Sequence, residues 1–377
     1  MRLDGEANDE GDNVMKLTWR SVFVGLILVA IVGGIVLVSG VVPIKASSGH
    51  WAITRALLDF ASDRSVAFHS RGVEPPDDST AKNSRLGREV FRTNCKFCHG
   101  WPGEPIPPVA AGMTPKPPVL GSEVLKKEPR ELFHIIQHGI KFAGMPAWPV
   151  RQRPDEVWPV VAFLREQNSV HVRDEETRHR SHDSATNRVA GLEACVACHG
   201  EDGFSRVGPQ VPTLAGQSRE YLVSALTEYR EGKRSSGIMM PIAHQLDDRQ
   251  INSLASRYAT VNTGNLSAAE SQTTVKNVDA ASIQRGKRLA ERGDGTRKIA
   301  ACSECHDRDA TSHHSSYPRL AGQGAWYVRK QLELFGEQIR SQTERGQRMS
   351  EIAKSLTARD RSDLAAYYAS LTWHTEE

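Results

Sequence analysis

Hydrophobic positions along the chain follow two patterns. The first is a continuous block: residues 21–44, SVFVGLILVAIVGGIVLVSGVVPI, carry no charge. At about 1.5 Å per residue, a helix of this length crosses a hydrocarbon core of ~30 Å with some tilt. The second is a 3–4 spacing. EYLVSALTEYREG sets Leu222, Ala225, Leu226 and Tyr229 on one helical stripe. DDRQINSLASRYA and RDRSDLAAYYASL open on acidic residues and carry the same spacing, as short amphipathic helices do. GHWAITRALLDFASDRSVAF reads as a further amphipathic helix, near a membrane surface or against a partner. Strand-type alternation is absent. The pattern predicts an all-α chain with one N-terminal transmembrane helix followed by small helical domains.

A cleaved signal peptide has an apolar core of ~7–15 residues and a small-residue cleavage site. Here the run is longer and KASSG is a poor site, so an uncleaved anchor is expected. Lys16 and Arg20 just before the run favour an inward amino terminus, while Lys45 and Arg55 beyond it work against that orientation. The expected location is the bacterial cytoplasmic (inner) membrane, single-pass, with everything after the anchor in the periplasm.

The chain repeats itself. CVACHGEDG at Cys195 and CSECHDRDA at Cys302 echo CKFCHGWPG at Cys95. PTLAGQSREYLVSALTEY from Pro212 matches PRLAGQGAWYVRKQLELF from Pro318, MMPIAHQL from Met239 matches MSEIAKSL from Met349, and LASRYA from Leu254 matches LAAYYA from Leu364. Two homologous units therefore follow a more distant third. Polar, aperiodic stretches from Ser169 and Asn262 mark the seams. The expected division is a cytoplasmic tail (1–20), an anchor (21–44), a juxtamembrane connector (45–81), a first domain (82–168), a linker (169–186), a second domain (187–262), a linker (263–280) and a third domain (281–377). Domains this small have marginal cores and are commonly helped by a metal, disulfide or cofactor.

All six cysteines sit in the repeats, as Cys95/Cys98, Cys195/Cys198 and Cys302/Cys305, so none remains for a long-range disulfide framework. A net charge of +3 with no basic run excludes nucleic acid as a partner. Each pair is followed at once by a histidine: His99, His199, His306. Two thiols three positions apart can each form a thioether to one vinyl group of a haem, and the histidine then supplies an axial nitrogen to the iron. Structural zinc needs four ligands and a redox dithiol predicts a βαβ neighbourhood, and neither is present. Three covalently bound haem c groups are expected. Met145, Met239 and Met349 lie 46, 40 and 43 residues after the histidines, at recurring positions, and are the expected sixth ligands. Met240 and Met113 are the alternatives, and His134, His138 and His244 are alternative nitrogen donors.

At these residues the chain resembles known proteins. The region from Asn187 to Leu371 is similar to the tandem di-haem class I cytochromes c of the cytochrome c4 type, in its Cys-x-x-Cys-His pairs, PTLAGQ and PRLAGQ, downstream Met and closing YYA helix. The first unit, with FAGMPAWP and DEVWPVVAFL, resembles the mono-haem class I domains of oxidase and dehydrogenase cytochrome subunits. The resemblance implies three class I cytochrome c domains. It also implies that the carbonyls of Pro212 and Pro318, and of Pro118 in the first unit, accept the Nδ1–H of His199, His306 and His99. There are two departures: Asn187 stands where the first unit has Gly87, eight residues before the Cys pair, and the third unit carries an insertion, ERGDGTRK. The expected function is a membrane-anchored electron carrier, not an enzyme, with a quinol-oxidising complex or dehydrogenase as donor and a terminal oxidase or soluble cytochrome as acceptor. The rival is the cytochrome subunit of a membrane-bound alcohol, aldehyde or sugar-acid dehydrogenase. A di-haem peroxidase needs an open sixth site, which three Met candidates argue against.

Overall fold

The computed structural model describes residues 19–42, 44–76, 83–121, 126–166, 191–261, 279–306 and 315–371. Most of the tail (1–18), the first linker (169–186), residues 263–278 of the second linker and Asn187 lie outside the described residues. The chain divides into two compact units, Met1–Trp51 and Ala52–Glu377.

In the first unit, α1 (Trp19–Val38) is apolar on every face. It has a mean hydropathy of 2.9 with none of it buried, which by length and composition suffices to cross a membrane. The second unit opens with α2 (Ala52–His69). Of its residues only Val66 is buried, while Ile53, Leu57 and Phe60 remain exposed.

The first Cys-containing region is built on α3 (Ser84–Asn94). The Asn83 side chain accepts the Leu86 amide at 3.2 Å, capping the helix. Leu86, Gly87, Val90 and Phe91 recur at helical spacing and are all buried. Short helices α4 (Lys96–His99) and α5 (Pro108–Ala111) follow, then α6 (Pro129–His138), started by Pro129 and a Glu128/Glu131 capping box. Next is α7 (Trp158–Glu166), which crosses α3. The crossing is close: a Cβ at Gly87 would lie 1.8 Å from the Pro159 carbonyl oxygen. Phe91, Trp101 and Phe163 form an aromatic triangle beside it, with centroids 5.3–5.7 Å apart. Burying each such side chain contributes about 1.5–3 kcal/mol.

The second region comprises α8 (Leu192–His199), α9 (Arg219–Arg230), α10 (Met239–His244) and α11 (Asp248–Ala259). Among its described residues two small buried clusters form: Leu222, Ala255 and Tyr258, and Leu246, Ile251 and Leu254. The third comprises α12 (Ala280–Arg292), α13 (Ser303–His306), α14 (Ala325–Gly336), α15 (Glu344–Lys354) and α16 (Ala358–Ser370). It repeats the first region's crossing: a Cβ at Gly286 would lie 2.0 Å from the Asp363 carbonyl oxygen. Ion pairing between Arg285 and the buried Asp363 carboxylate at 2.6 Å fastens the same point.

Among the described residues there are no strands, only the isolated antiparallel bridges Ile140–Met145 and Asp294–Ile299. The three regions share one body: the core around Phe91 and Trp158 takes in Val207 and packs on Cys198, Val211 and Ile238 of the second.

Candidate functional site

Each motif ends a short helix on its histidine; the helix holds both Cys195 and Cys198 in the second site, and starts just after Cys95 and Cys302 in the other two. The helical turn places the first cysteine and the histidine one turn apart: His99 and His306 amides donate to the carbonyls of Cys95 and Cys302 at 3.1 and 2.8 Å. In the second site the imidazole of His199 is 7% exposed and contacts the Pro212 carbonyl at 2.9 Å. In the third, His306 is 8% exposed and meets the Pro318 carbonyl at 2.8 Å, with the Tyr317 ring edge-on to it. A carbonyl only accepts, so Nδ1 carries the proton in both rings and Nε2 presents its lone pair. In the first site the same contact, from His99 to Pro118, is looser at 3.5 Å. Burial drives the pKa of His199 down to about 4, partly opposed by the Pro212 bond, so the ring is neutral at physiological pH.

One cavity is lined by Cys195, Cys198, His199, Pro212 and Met239 of the second region. The same cavity is lined by Cys302, His306, Pro318 and Met349 of the third. The structure thus brings together most of the residues singled out in these two regions. Met240 is not on this wall; its Cε faces Gly232.

The three pairs are not equivalently placed: Cys98 and Cys305 do not line this cavity, although Cys198 at the matching position does. Cys305 is exposed, whereas Cys198 is half-buried. The reason is what packs outside them. Cys198 lies under the core of the first region, against the cluster around Phe91 and Trp158, and no buried cluster of the described residues covers Cys305 in that way. Cys98 is half-buried, and in its pair it is Cys95 that packs on the first region's core. Cys98 therefore stands with His99 in a separate site, away from the shared cavity.

The other residues of the first site, Cys95, His99, Pro118 and both methionine candidates, also lie outside the cavity. There Met145 pairs with Ile140 across a bridge, and the Met113 Cε abuts Gly144, so the two candidate sulfurs sit on neighbouring segments. His134 stacks on His69 and lies at a tilt against His138.

The donor set fits haem c. Burial pushes the thiols of Cys95 and Cys198 to about 12 and those of Cys195 and Cys302 to about 11. These are neutral thiols, unlike the low-pKa thiolate of a redox dithiol. No group of three metal-ligating side chains gathers as a zinc site would need, among the described residues. The cavity also holds Arg234, 4% exposed, whose guanidinium donates to the hydroxyls of Tyr327 at 3.0 Å and Tyr221 at 3.3 Å. Its Nε has no partner and no carboxylate pairs with it among the described residues. A buried cation in that state suits a ligand bringing its own carboxylates, as haem propionates do.

Sequence reasoning missed how the repeats hold one another. Gln217 and Gln323, the last residues of the two LAGQ segments, trade places. Gln217 Nε2 donates to the Arg319 carbonyl at 2.9 Å and its Oε1 accepts the Arg319 amide at 3.0 Å. Gln323 does the same to Thr213, at 2.8 and 3.0 Å. Arg319 and Thr213 directly follow Pro318 and Pro212, so each repeat anchors the backbone that orients the other's histidine. The signal was present as a repeated Gln; that it reaches across the interface was not.

Paired thiols beside a carbonyl-oriented neutral imidazole, in small helical regions with a cavity between them, define a carrier of covalently attached haem. The family described as cytochrome c oxidase, cbb3-type, subunit III matches residues 82–164, and the cytochrome c family matches residues 186–275 and 283–372. Cytochrome c-552 of Acidithiobacillus ferridurans is 33% identical over 47% of this chain and 73% of its own length. The thiosulfate dehydrogenase electron acceptor of Stutzerimonas stutzeri is 30% identical over 47% of this chain and 79% of its own. Cytochrome c4 of Pseudomonas aeruginosa is 29% identical over 51% of this chain and 90% of its own. The chain belongs to the cytochrome c family: it is an electron carrier with covalently bound haem c, not an enzyme.

Proposed function

We propose that the chain is a membrane-anchored triheme cytochrome c that passes single electrons between respiratory partners on the periplasmic face, toward a terminal oxidase. Its haems are bound at Cys95/Cys98, Cys195/Cys198 and Cys302/Cys305. His99, His199 and His306 are the nitrogen ligands and Met145, Met239 and Met349 the sulfur ligands, with Pro118, Pro212 and Pro318 orienting the imidazoles. Bound haem supplies one-electron exchange at iron, and a His/Met pair favours the ferrous state and raises the potential. The protein's own part is to hold the ligands still. Neutral imidazoles fixed by proline carbonyls and sulfurs on a packed wall need little rearrangement when the charge at the site changes by one. The shared cavity lined by Cys195, His199 and Met239 together with Cys302, His306 and Met349 is the observation that supports this reading, because residues of two proposed haem sites line one space.

The second reading, a subunit that takes electrons from a dehydrogenase, is favoured by the likeness to a thiosulfate dehydrogenase electron acceptor. Purification from mild detergent separates the two. The first reading expects the haem protein to come away free or with an oxidase. A dehydrogenase present in stoichiometric amount would replace it with the second.

A further inference from the structure

We infer that Glu156, in the first region, is a positioning residue for Met239 in the second. The inference rests on Met239 as an iron ligand, as proposed above. Glu156 is 4% exposed and lies in the short turn ahead of α7. A carboxylate buried this deeply stays only where donors surround it. Four do. Trp148 Nε1 reaches it at 3.2 Å and Arg153 Nη1 at 3.0 Å from its own region. The Ser236 hydroxyl at 2.7 Å and the Gly237 amide at 2.6 Å reach it from the second. Arg153 also donates to the Ser235 carbonyl at 3.0 Å, so three consecutive residues, 235–237, are held by two side chains from the first region.

Those residues lead straight into Met239. The Ser236 oxygen that donates to Glu156 accepts the Met239 amide at 3.1 Å and the Ile238 amide at 3.3 Å. A line of hydrogen bonds therefore runs from the Glu156 carboxylate through the Ser236 hydroxyl to the backbone of Met239. Trp148 closes the site from the other side: a Cβ on Gly237 would lie 2.1 Å from its Nε1. Among the described residues of the third region no buried carboxylate and hydroxyl relay to the Met349 amide in this way; the cross-region contacts there run from Arg345 to Ser224 and Glu228. The residue three before Met349 is Gly346, which has no side chain to relay a bond, and Met349 sits inside α15. The first region thus makes two otherwise repeated sites unequal, by tightening the sulfur ligand in one of them.

Three variants of the full haem-loaded protein test this: Glu156→Gln, Ser236→Ala and Met239→Ala. The readouts are the near-infrared sulfur–iron band of the oxidised protein and a redox titration, with haem content and far-UV circular dichroism confirming that each variant folds. Met239→Ala should remove one third of the band. Glu156→Gln should weaken or shift that same third and move the midpoint of one haem while the other two stay. Ser236→Ala should shift the same third without changing any charge, which separates positioning from electrostatics and answers the question if Glu156→Gln fails to fold. An unchanged band and unchanged midpoints in Ser236→Ala and Glu156→Gln, beside the loss in Met239→Ala, would overturn the inference alone. An unchanged band in Met239→Ala would instead remove the ligand assignment on which it rests.

Discussion

Replacing both Cys195 and Cys198 by alanine should cost the protein one third of its haem and should unfold the second region. The two buried groups there are small, and they meet only through Leu192, Cys195 and Val223. Leu222, Leu254, Ala255 and Tyr258 of these groups line the cavity that also carries His199 and Met239. A haem plate would be the largest apolar body in that region, and its loss would leave too little buried surface to offset the entropy of ordering so short a segment. Thioether bonds hold the plate regardless of iron valence; without them it is free to leave. Pyridine haemochrome should give two haems per chain in place of three, and limited proteolysis should cut within residues 191–261 while sparing the first region. A variant with undiminished haem and an unchanged cleavage pattern would show that the pair is not an attachment site.

A second large effect is expected at a residue with no chemistry. Gly286→Val should unfold the third region while the first keeps its structure. At Gly286 the backbones of α12 and α16 touch, and a Cβ would sit 2.0 Å from one backbone atom and 2.5 Å from the next. Neither neighbour is a side-chain end that can swing aside. The helices must separate, and overpacking that shifts backbone costs about 1–3 kcal/mol and occasionally more. Separation would also break the Arg285–Asp363 ion pair, whose carboxylate is 5% exposed and would be left buried without its cation. Thermal unfolding followed by circular dichroism should show an early transition in the variant. Unchanged melting would mean that the helices do not cross there.

Much of the candidate site was legible because its chemistry fixes its spacing. Two thioethers to one ring demand two cysteines three apart, and the axial imidazole must follow at once, so the pattern survives any change around it. Spacing says nothing of what covers each thiol: Cys98, Cys198 and Cys305 hold the same place in the motif, yet only Cys198 lines the shared cavity, because neighbouring regions pack on them differently. The paired prolines were legible only through resemblance; two of the three carbonyl contacts are short and the first is long. The helical content followed from periodicity, and Gly87 from its place eight residues before the Cys pair. Gly286 escaped because it stands sixteen residues before its pair: the eight-residue insertion ERGDGTRK displaces it. Glu156 and Arg153 left no signal at all, since their partners are some 80 residues away and a lone Glu in a polar turn looks solvated. Through that brace the first and second regions pack on one another.

The most direct test is the ratio of covalently bound haem to polypeptide, measured by pyridine haemochrome and intact mass on chain made in a cell able to attach the cofactor. Three attachment sites predict a ratio of three. A ratio of two or fewer would contradict that count, and a colourless chain with the mass of its amino acids alone would contradict the account altogether.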